Sequence, residues 1–243
     1  MSTCVVVPAA GSGTRLGADR PKAFVELHGA TLLQRSVAGI IASGIATHIV
    51  VAVPEALVRE ARTALSSDSL APLLVEPGAP AVHVVPGGAD RIESVDRALR
   101  AVPDCEYVLV HDAARCLTPP HVFRAVVSAL AAGAEAVVPV VPVTDTVRRV
   151  DGSGALHGGL DRSALRRIQT PQGFPRSVLV RAHERQRAEP DPAATDDAGL
   201  VERLGLSVRA VTGSEQALKI THPIDLGVAG LYLTGTAPKE ETR

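Results

Sequence analysis

The stretch Pro8–Lys22 has the sequence Pro-Ala-Ala-Gly-Ser-Gly-Thr-Arg-Leu-Gly-Ala-Asp-Arg-Pro-Lys and directly follows the apolar run Cys4–Val7. The apolar run predicts a buried first strand. The small residues after it allow a backbone loop to approach a ligand closely, with N–H groups turned toward anionic oxygens. Arg15 and Lys22 add two positive charges to this loop. These features predict a site for the triphosphate of a nucleotide at the end of the first strand.

The glycine spacing in this loop differs from two common phosphate-binding patterns. Gly11 and Gly13 are followed by Gly17, one residue too late for the dinucleotide fingerprint. The loop also lacks the Gly-Lys-Ser/Thr ending of the Walker pattern. It instead resembles the signature of sugar nucleotidyltransferases, Ala-Ala-Gly-x-Gly-x-Arg-[Leu/Met]-Gly followed by Pro-Lys.

The composition predicts one globular α/β domain, placed at residues 1–234 of the 243, with a disordered tail at 235–243. A formal net charge of −1 and an aromatic content of 2% disfavour a nucleic-acid partner. No apolar run is long enough to span a membrane, and no signal peptide is evident. The three cysteines match neither a disulfide framework nor a zinc spacing. We therefore expect a cytoplasmic protein without a membrane partner.

Strand and helix patterns alternate along most of the chain. This alternation predicts a Rossmann-like α/β fold, with a mostly parallel sheet covered by helices on both faces. The predicted strands are His48–Val53, Val82–Val85, Tyr107–Val110, Ala136–Val141 and Ser207–Val211, with extended structure at Arg167–Gln172. The predicted helices run from Thr31 toward Gly44, over Glu55–Leu65 and Arg91–Val102, from Thr118 to Gly133, and over Ser177–Glu189 and Pro223–Leu233.

The alternation stops at Pro142, where a protruding β-hairpin is predicted instead. Its two arms are Thr144–Val150 and Leu156–Leu165, joined by a turn at Asp151–Gly154. The segment has no continuous apolar face with which to build a core. Because isolated hairpins are marginally stable in water, we expect residues 142–165 to pack on a second copy of the chain in a homodimer.

Two further strand ends carry candidate site residues. Asp112 follows an apolar strand, and a carboxylate opposite a phosphate loop suits a Mg²⁺ ion that bridges protein and triphosphate oxygens. Gly87 and Gly88 precede a predicted helix, where main-chain groups and the Ser94 hydroxyl are suited to hold the edge of a base. His111 is expected to be a packed neighbour rather than a catalyst. Cys116 is expected to be an inert thiol.

An ordered set of motifs across the chain resembles the 2-C-methyl-D-erythritol 4-phosphate cytidylyltransferase family. The resemblance extends from Val5 to about Leu233. Each motif alone is weak, but their order is specific. The motifs are Ala9–Arg15, Pro21-Lys22, Gly87-Gly88-x-x-Arg91-x-x-Ser94, Asp112–Arg115, Asp145-Thr146, Thr170–Gln172, Thr195–Ala198 and Lys219–Thr221.

This resemblance implies CTP and a sugar-alcohol phosphate as substrates, and it assigns a role to each matching residue. The implied catalytic cations are Arg15, Lys22 and Lys219. The implied nucleotide-binding residues are Ala9, Ala10, Gly11, Ser12, Gly13, Gly88, Arg91, Ser94, Asp112 and Ala113, with Asp112 also holding Mg²⁺. The implied acceptor-binding residues are Arg115, Thr144, Arg162, Thr170 and Thr195, of which Thr144 and Arg162 would reach the site of a neighbouring subunit.

Two departures from the family pattern accompany the match. Cys116 stands where the family usually has proline, and Ala217 stands where it often has asparagine. A ribitol 5-phosphate cytidylyltransferase remains an alternative, since it shares the fold, the nucleotide and the chemistry. A nucleotide-binding regulator without turnover is a second alternative, although it would not need the full set of cations. A dinucleotide-dependent dehydrogenase is disfavoured by the glycine spacing.

Overall fold

A computed structural model describes residues 1–11, 13–67 and 70–236 of the chain. The strands in these ranges are β1 (Thr3–Pro8), β2 (Glu26–Leu27), β3 (Ala30–Thr31), β4 (His48–Val53), β5 (Ala81–Pro86), β6 (Tyr107–Val110), β7 (Val137–Pro142), β8 (Arg148–Val150), β9 (Leu156–Gly159), β10 (Arg166–Ile168), β11 (Gln172–Pro175) and β12 (Arg209–Thr212). The α-helices are α1 (Leu32–Ser43), α2 (Val58–Leu65), α3 (Ala71–Leu74), α4 (Arg91–Ala101), α5 (Pro120–Ala131), α6 (Arg176–Ala188), α7 (Asp197–Glu202) and α8 (Pro223–Leu233).

The central sheet is mixed and mostly parallel, with the strand order β10-β7-β11-β6-β1-β4-β5. Strands β6, β1, β4 and β5 pair in parallel, and β12 pairs in parallel with β7. Strand β11 is antiparallel to both β6 and β7, and β10 is antiparallel to β7. The predicted α/β fold class is therefore confirmed.

Both faces of the sheet are covered, as the apolar character of β1 predicts. Val5 and Val7 belong to one buried cluster, to which α1 and α5 also contribute. Val6, between them, belongs to a second cluster together with residues of α4 and α6. Successive side chains of a strand point to opposite faces, so a strand covered on both sides must be apolar throughout.

Helix α1 shows how local sequence sets an element's ends. Thr31 is its N-cap: the Thr31 side chain accepts a hydrogen bond from the Gln34 N–H, and the Gln34 side chain accepts one from the Thr31 N–H. Gly44 ends the helix with a φ of 70°, a conformation that glycine adopts without steric cost. The predicted capping box and helix end are thus confirmed.

The hairpin is present, but its strands are shorter than predicted. Strands β8 and β9 pair only with each other among the described residues. Residues Arg162–Ala164, predicted as strand, form a 3-10 turn instead, because the Asp161 side chain caps that turn by accepting from the Ser163 N–H. Residues 142–165 are called the arm below.

Other local differences separate prediction and structure. The extended stretch predicted at Arg167–Gln172 is divided between the end of β10 and the start of β11. The short helices α3 and α7 and the β2–β3 ribbon were not predicted.

No helix of the described ranges has both the length and the apolar character needed to cross a membrane. Of the predicted disordered tail, Gly235 and Thr236 are described, and 237–243 lie outside the described residues.

Candidate active site

A cleft of about 490 Å³ lies at the carboxyl ends of β1 and β6. It is the place where an open α/β sheet is expected to bind ligands. Most of the predicted site residues line it. They are Ala9, Ala10, Gly11, Gly13, Arg15, Lys22, Gly88, Arg91, Ser94, Asp112, Ala113 and Lys219.

The glycine loop is held against Lys22 by a close backbone approach. Gly13 has a φ of +69°, and a Cβ atom at this position would lie 2.5 Å from Lys22 Cβ. A side chain is therefore excluded both by the backbone conformation and by the lack of space. Ser12, predicted to bind the nucleotide, lies outside the described residues.

Lys22 and Arg15 place positive charge beside this loop. The Lys22 ammonium donates to the backbone carbonyl of Ile220 over 2.9 Å. Partial burial lowers the pKa of Lys22, and repulsion from Lys219 and Arg15 lowers it further, with partial compensation by Asp112. Arg15 is exposed at the edge of the cleft. Repulsion among these cations favours the binding of a further anion in the cleft.

Asp112 is held between two cations on the floor of the cleft. Arg91 Nε lies 3.0 Å from Asp112 Oδ1, and Lys219 Nζ lies 2.8 Å from Asp112 Oδ2. Burial favours the neutral carboxyl, but the charges of Arg91 and Lys219 outweigh it and hold the pKa of Asp112 far below its usual range. The carboxylate is therefore ionised at neutral pH.

Thr170 and His111 support Asp112 from beneath the cleft. The Asp112 N–H donates to Thr170 Oγ1 over 3.0 Å, and His111 Nδ1 lies 3.1 Å from the same hydroxyl. His111 is buried, and burial lowers its pKa to about 4. The imidazole stays neutral at physiological pH and packs on Phe123, with ring centroids 4.8 Å apart. The expectation of a packed, hydrogen-bonded histidine agrees with this geometry.

The loop at Gly87 and Gly88 is shaped by Ser94 and the start of α4. The Gly88 N–H donates to Ser94 Oγ over 3.0 Å, and that hydroxyl donates to the Asp90 carbonyl over 2.7 Å. A Cβ atom on Gly87 would lie 2.6 Å from Ala10 Cβ. Gly87 thus lets the two loops of the cleft touch, and both hydrogen bonds of Ser94 fix the loop's shape.

The residues expected to bind the acceptor lie in four places, none of them among the cleft-lining set. Thr170 is buried beneath Asp112. Arg115 donates to the carbonyls of Ala217 and Ile168 over 2.7 and 3.2 Å. Thr195 borders a neighbouring cavity of about 560 Å³ beside Arg91. On the arm, Arg162 Nη1 donates to the Thr144 carbonyl over 2.9 Å, so the structure brings these two together.

Both departures from the family pattern have a visible place in the structure. The Ala217 side chain is fully buried, and the contact at this position is made by its carbonyl, which accepts from Arg115. The Cys116 thiol is buried, and burial raises its pKa to about 12. This agrees with the expectation of an inert thiol.

Sequence reasoning missed a buried layer behind Arg91. Asp197 binds Arg91 Nη1 and His183 Nε2 over 2.7 and 2.9 Å. Gln172 accepts from the Asp197 N–H over 3.1 Å. Asp197 and Gln172 stood inside motifs that were singled out, yet nothing local pairs them with α4 and α6. Consecutive aspartates before a helix signal an N-cap, which is the role of Asp196.

Comparison with known families agrees with this arrangement. The family model described as IspD, 2-C-methyl-D-erythritol 4-phosphate cytidylyltransferase, matches residues 3–235. The protein of that name from Rhodococcus jostii (strain RHA1) is 51% identical over 224 residues, covering 92% of this chain and 92% of the relative. The protein of that name from Saccharopolyspora erythraea is 50% identical over 237 residues, covering 96% of this chain and 100% of the relative.

A solved structure gives the same answer for the fold. The crystal structure of 2-C-methyl-D-erythritol 4-phosphate cytidylyltransferase from Thermus thermophilus superposes with a TM-score of 0.74 at 34% identity, covering 96% of this chain and 100% of that one. The match of the family model over most of the chain supports the main interpretation and gives no support to the ribitol 5-phosphate alternative. This chain belongs to the 2-C-methyl-D-erythritol 4-phosphate cytidylyltransferase family.

Proposed function

We propose that this enzyme transfers the cytidylyl group of CTP to 2-C-methyl-D-erythritol 4-phosphate and releases pyrophosphate in the cleft described above. The observation that carries the proposal is the convergence of Arg15, Lys22, Lys219 and Asp112 at the end of the glycine loop. Membership of the family supplies the identity of the nucleotide and the acceptor. The cleft supplies the charges that such a transfer needs.

In the proposed reaction, an oxygen of the acceptor phosphate forms a bond to the α-phosphorus of CTP. The bond from that phosphorus to the bridging oxygen breaks, and pyrophosphate leaves with the electron pair. The acceptor phosphate is largely ionised at neutral pH, so no residue has to remove a proton. His111 fits this requirement, because it is buried and its lowered pKa of about 4 keeps it neutral.

Catalysis therefore depends on positioning and on neutralising charge. We assign Lys22 and Arg15 to the triphosphate, because both border the glycine loop. Lys219 is assigned to the α-phosphate, since its side chain is more exposed than Asp112 and can exchange the carboxylate for a phosphate oxygen. Arg91 Nη2 is buried without a partner among the described residues, and a nucleotide acceptor atom would satisfy it.

The donor chemistry of the cleft fits a bound Mg²⁺ ion. Asp112 is an ionised carboxylate on the floor of a site for phosphates, and Mg²⁺ is commonly held by one or two carboxylates together with substrate phosphates. Within the described ranges no group of three or more His, Cys, Asp or Glu residues is arranged to hold a metal. Asp112 and the triphosphate would therefore hold the ion jointly, and its charge would offset that of the phosphate oxygens.

A homodimer with shared sites is the second part of the proposal. Strands β8 and β9 of the arm pair with each other and, among the described residues, with no strand of the body. Val150 and Leu156, a cross-strand pair, are 65% and 71% exposed. Such apolar exposure on a segment without a core supports burial against a second protomer. Arg162 of each arm would then bind the acceptor phosphate in the partner's cleft.

A pyrophosphate-release assay tests the proposed function. CTP is paired with 2-C-methyl-D-erythritol 4-phosphate and, separately, with ribitol 5-phosphate, and the first pair is expected to react faster. ATP and GTP replace CTP as controls and should give little product. Turnover with ribitol 5-phosphate and none with 2-C-methyl-D-erythritol 4-phosphate would identify the enzyme as a ribitol 5-phosphate cytidylyltransferase. Binding of CTP without turnover with either acceptor would favour a regulator.

The three cysteines Cys4, Cys105 and Cys116 are free and buried, which supports a reducing, cytoplasmic location for the enzyme.

A further inference from the structure

A continuous chain of ion pairs leads from the cleft to helix α6. Lys219 Nζ contacts Asp112 Oδ2 at 2.8 Å, and Arg91 Nε contacts Asp112 Oδ1 at 3.0 Å. Arg91 Nη1 then contacts Asp197 Oδ2 at 2.7 Å, and His183 Nε2 contacts Asp197 Oδ1 at 2.9 Å. Asp112 and Lys219 border the cleft, whereas Asp197 and His183 do not. Arg91 links this inner pair to the cleft.

Asp197 is fixed more firmly than the residues of the cleft. Its side chain is 0% exposed, and each carboxylate oxygen has a partner from a different element. The Asp197 N–H donates to Gln172 Oε1 over 3.1 Å, so the backbone is fixed as well. A carboxylate accepts only, so the His183 Nε2 atom must carry the proton in this contact.

Burial favours the neutral form of Asp197, but the charge of Arg91 and the hydrogen bond from His183 outweigh it, so the pKa of Asp197 is lowered. The carboxylate is therefore a permanent anion. A buried charge that keeps its place can hold an arginine in one position.

Arg91 is thus shared between a carboxylate of the cleft and a carboxylate of the interior. Each oxygen of Asp112 faces a cation, and the positive charge of Arg91 and Lys219 opposes a metal ion at the same carboxylate. The more exposed Lys219 can turn to a phosphate oxygen, whereas the less exposed Arg91 needs another anion if it is to leave. If Asp112 released Arg91 without another anion nearby, the guanidinium would be left largely buried and unpaired, at a cost in free energy. Asp197 removes that obstacle, because it keeps Arg91 paired.

We infer that Asp197, held by His183, is a positioning residue that retains Arg91 and so allows Asp112 to exchange Arg91 for a divalent cation when CTP binds. This inference rests on the proposed function, which gives Asp112 the metal. Removing the charge of Asp197 leaves Arg91 with Asp112 as its sole anion. Arg91 then binds Asp112 more strongly, and the divalent cation has to displace a stronger ion pair. Changes to residues behind a metal ligand typically weaken metal binding by about 10- to 100-fold.

The test measures how much Mg²⁺ tightens CTP binding. Isothermal titration calorimetry without acceptor gives the Kd for CTP in Mg²⁺ and in EDTA, for wild type and for Asp197→Asn. In the variant, the factor by which Mg²⁺ tightens CTP binding should fall about tenfold. Its Kd for CTP in EDTA should stay close to that of wild type. A merely structural defect would instead weaken CTP binding in both conditions, and that result would overturn the inference.

Two variants of His183 guard against a misfolded Asp197→Asn. His183→Gln keeps an N–H donor, whereas His183→Met removes it at similar volume. We expect His183→Met to lose Mg²⁺-dependent tightening and His183→Gln to retain most of it. Equal Mg²⁺-dependent tightening in wild type, Asp197→Asn and His183→Met would overturn this inference and leave the proposed function intact. If the wild-type enzyme bound CTP equally well in Mg²⁺ and in EDTA, that result would overturn the metal role of Asp112 and this inference with it.

Discussion

The floor of the cleft is assembled from distant parts of the chain, whereas the arm is assembled from neighbours. Asp197 binds Arg91, which lies 106 positions earlier. At the tip of the arm, Asp151 accepts from the N–H groups of Ser153 and Ala155, two and four positions later. The floor is buried and fixed by the whole fold. The hydrogen bonds at the tip of the arm are local, and its apolar side chains Val150 and Leu156 are exposed.

This difference implies a division of labour between the two regions. A buried ionic network is costly to rearrange, because each charge depends on a partner from another element. A local hairpin can change its contacts without disturbing the body. Changes in the floor should therefore alter chemistry and the pH dependence of stability. Changes in the arm should alter acceptor binding and association, and leave the body intact.

The largest effect is expected from Lys22→Ala. Loss of one preorganised cation at a developing charge typically lowers turnover by about 10²- to 10³-fold. The variant should unfold at nearly the wild-type denaturant concentration, since Lys22 is only partly buried. Arg59→Ala, which removes an exposed cation of α2, is the matched control and should keep full activity. Turnover within a factor of two of wild type in folded Lys22→Ala would refute the assignment of the loop.

A slightly smaller effect is expected from the pH dependence set by His111. Its pKa is about 4 in the fold against 6.5 for an unperturbed histidine, so the unfolded chain binds a proton more readily between these values. The native protein therefore loses stability as the pH falls from 6.5 toward 4. The loss from pH 7.5 to pH 5 should be about 2 kcal/mol.

Urea unfolding of wild type and His111→Gln at both pH values measures this contribution. The variant should lose less stability on acidification, whatever its stability at pH 7.5. His121→Gln, an exposed histidine of α5, serves as the control and should follow wild type. Identical pH slopes for wild type and His111→Gln would contradict the buried, neutral imidazole.

Arg162→Ala moves the comparison to the arm. Loss of a charge-assisted contact to the acceptor phosphate should raise the KM for the acceptor by roughly 10- to 100-fold, with CTP binding near normal. Arg149→Ala, also on the arm, should have a smaller effect. Mixing Arg162→Ala with Lys22→Ala subunits under exchange should restore some activity, because one site of a mixed dimer would be intact. No rescue despite proven exchange would rule out a shared site.

The smallest effect on the body is expected from Leu156→Ser. The Leu156 side chain is 71% exposed on the arm, so the stability of the chain itself should change by no more than about 0.5 kcal/mol. Sedimentation velocity should nevertheless show weaker dimerisation, because the exposed pair of Val150 and Leu156 would lose apolar area. A wild-type chain that sediments as a fully active monomer would contradict the role of the arm.

The elements predicted correctly are those whose signals are local. The capping box at Thr31 and Gln34 predicted the start of α1. The apolar run Tyr107–Val110 predicted a strand, with Asp112 just beyond its carboxyl end. Arg91, Asp112 and Lys219 were singled out, and they meet in the cleft. Their mutual ion pairs could not be predicted, because charge spacing along a sequence says nothing about partners brought together by the fold.

The misses have the same origin. Strand β11 enters the sheet antiparallel between β6 and β7, and no local pattern in Gln172–Pro175 indicates that insertion. The buried pair of His183 and Asp197 joins α6 to α7, and α7 itself is too short to give a clear periodic signal. The second strand of the arm was predicted too long because the capping turn at Asp161 was not recognised.

The contact between Lys22 and the carbonyl of Ile220 has a consequence for synthesis of the protein. The two residues are 198 positions apart, so the glycine loop leaves the ribosome well before the segment that binds its lysine. A nascent chain that ends before Lys219 lacks both that carbonyl and the second cation on Asp112. Lys22 can therefore reach the position that it has in the cleft only after Ile220 has been synthesised and has folded against the loop.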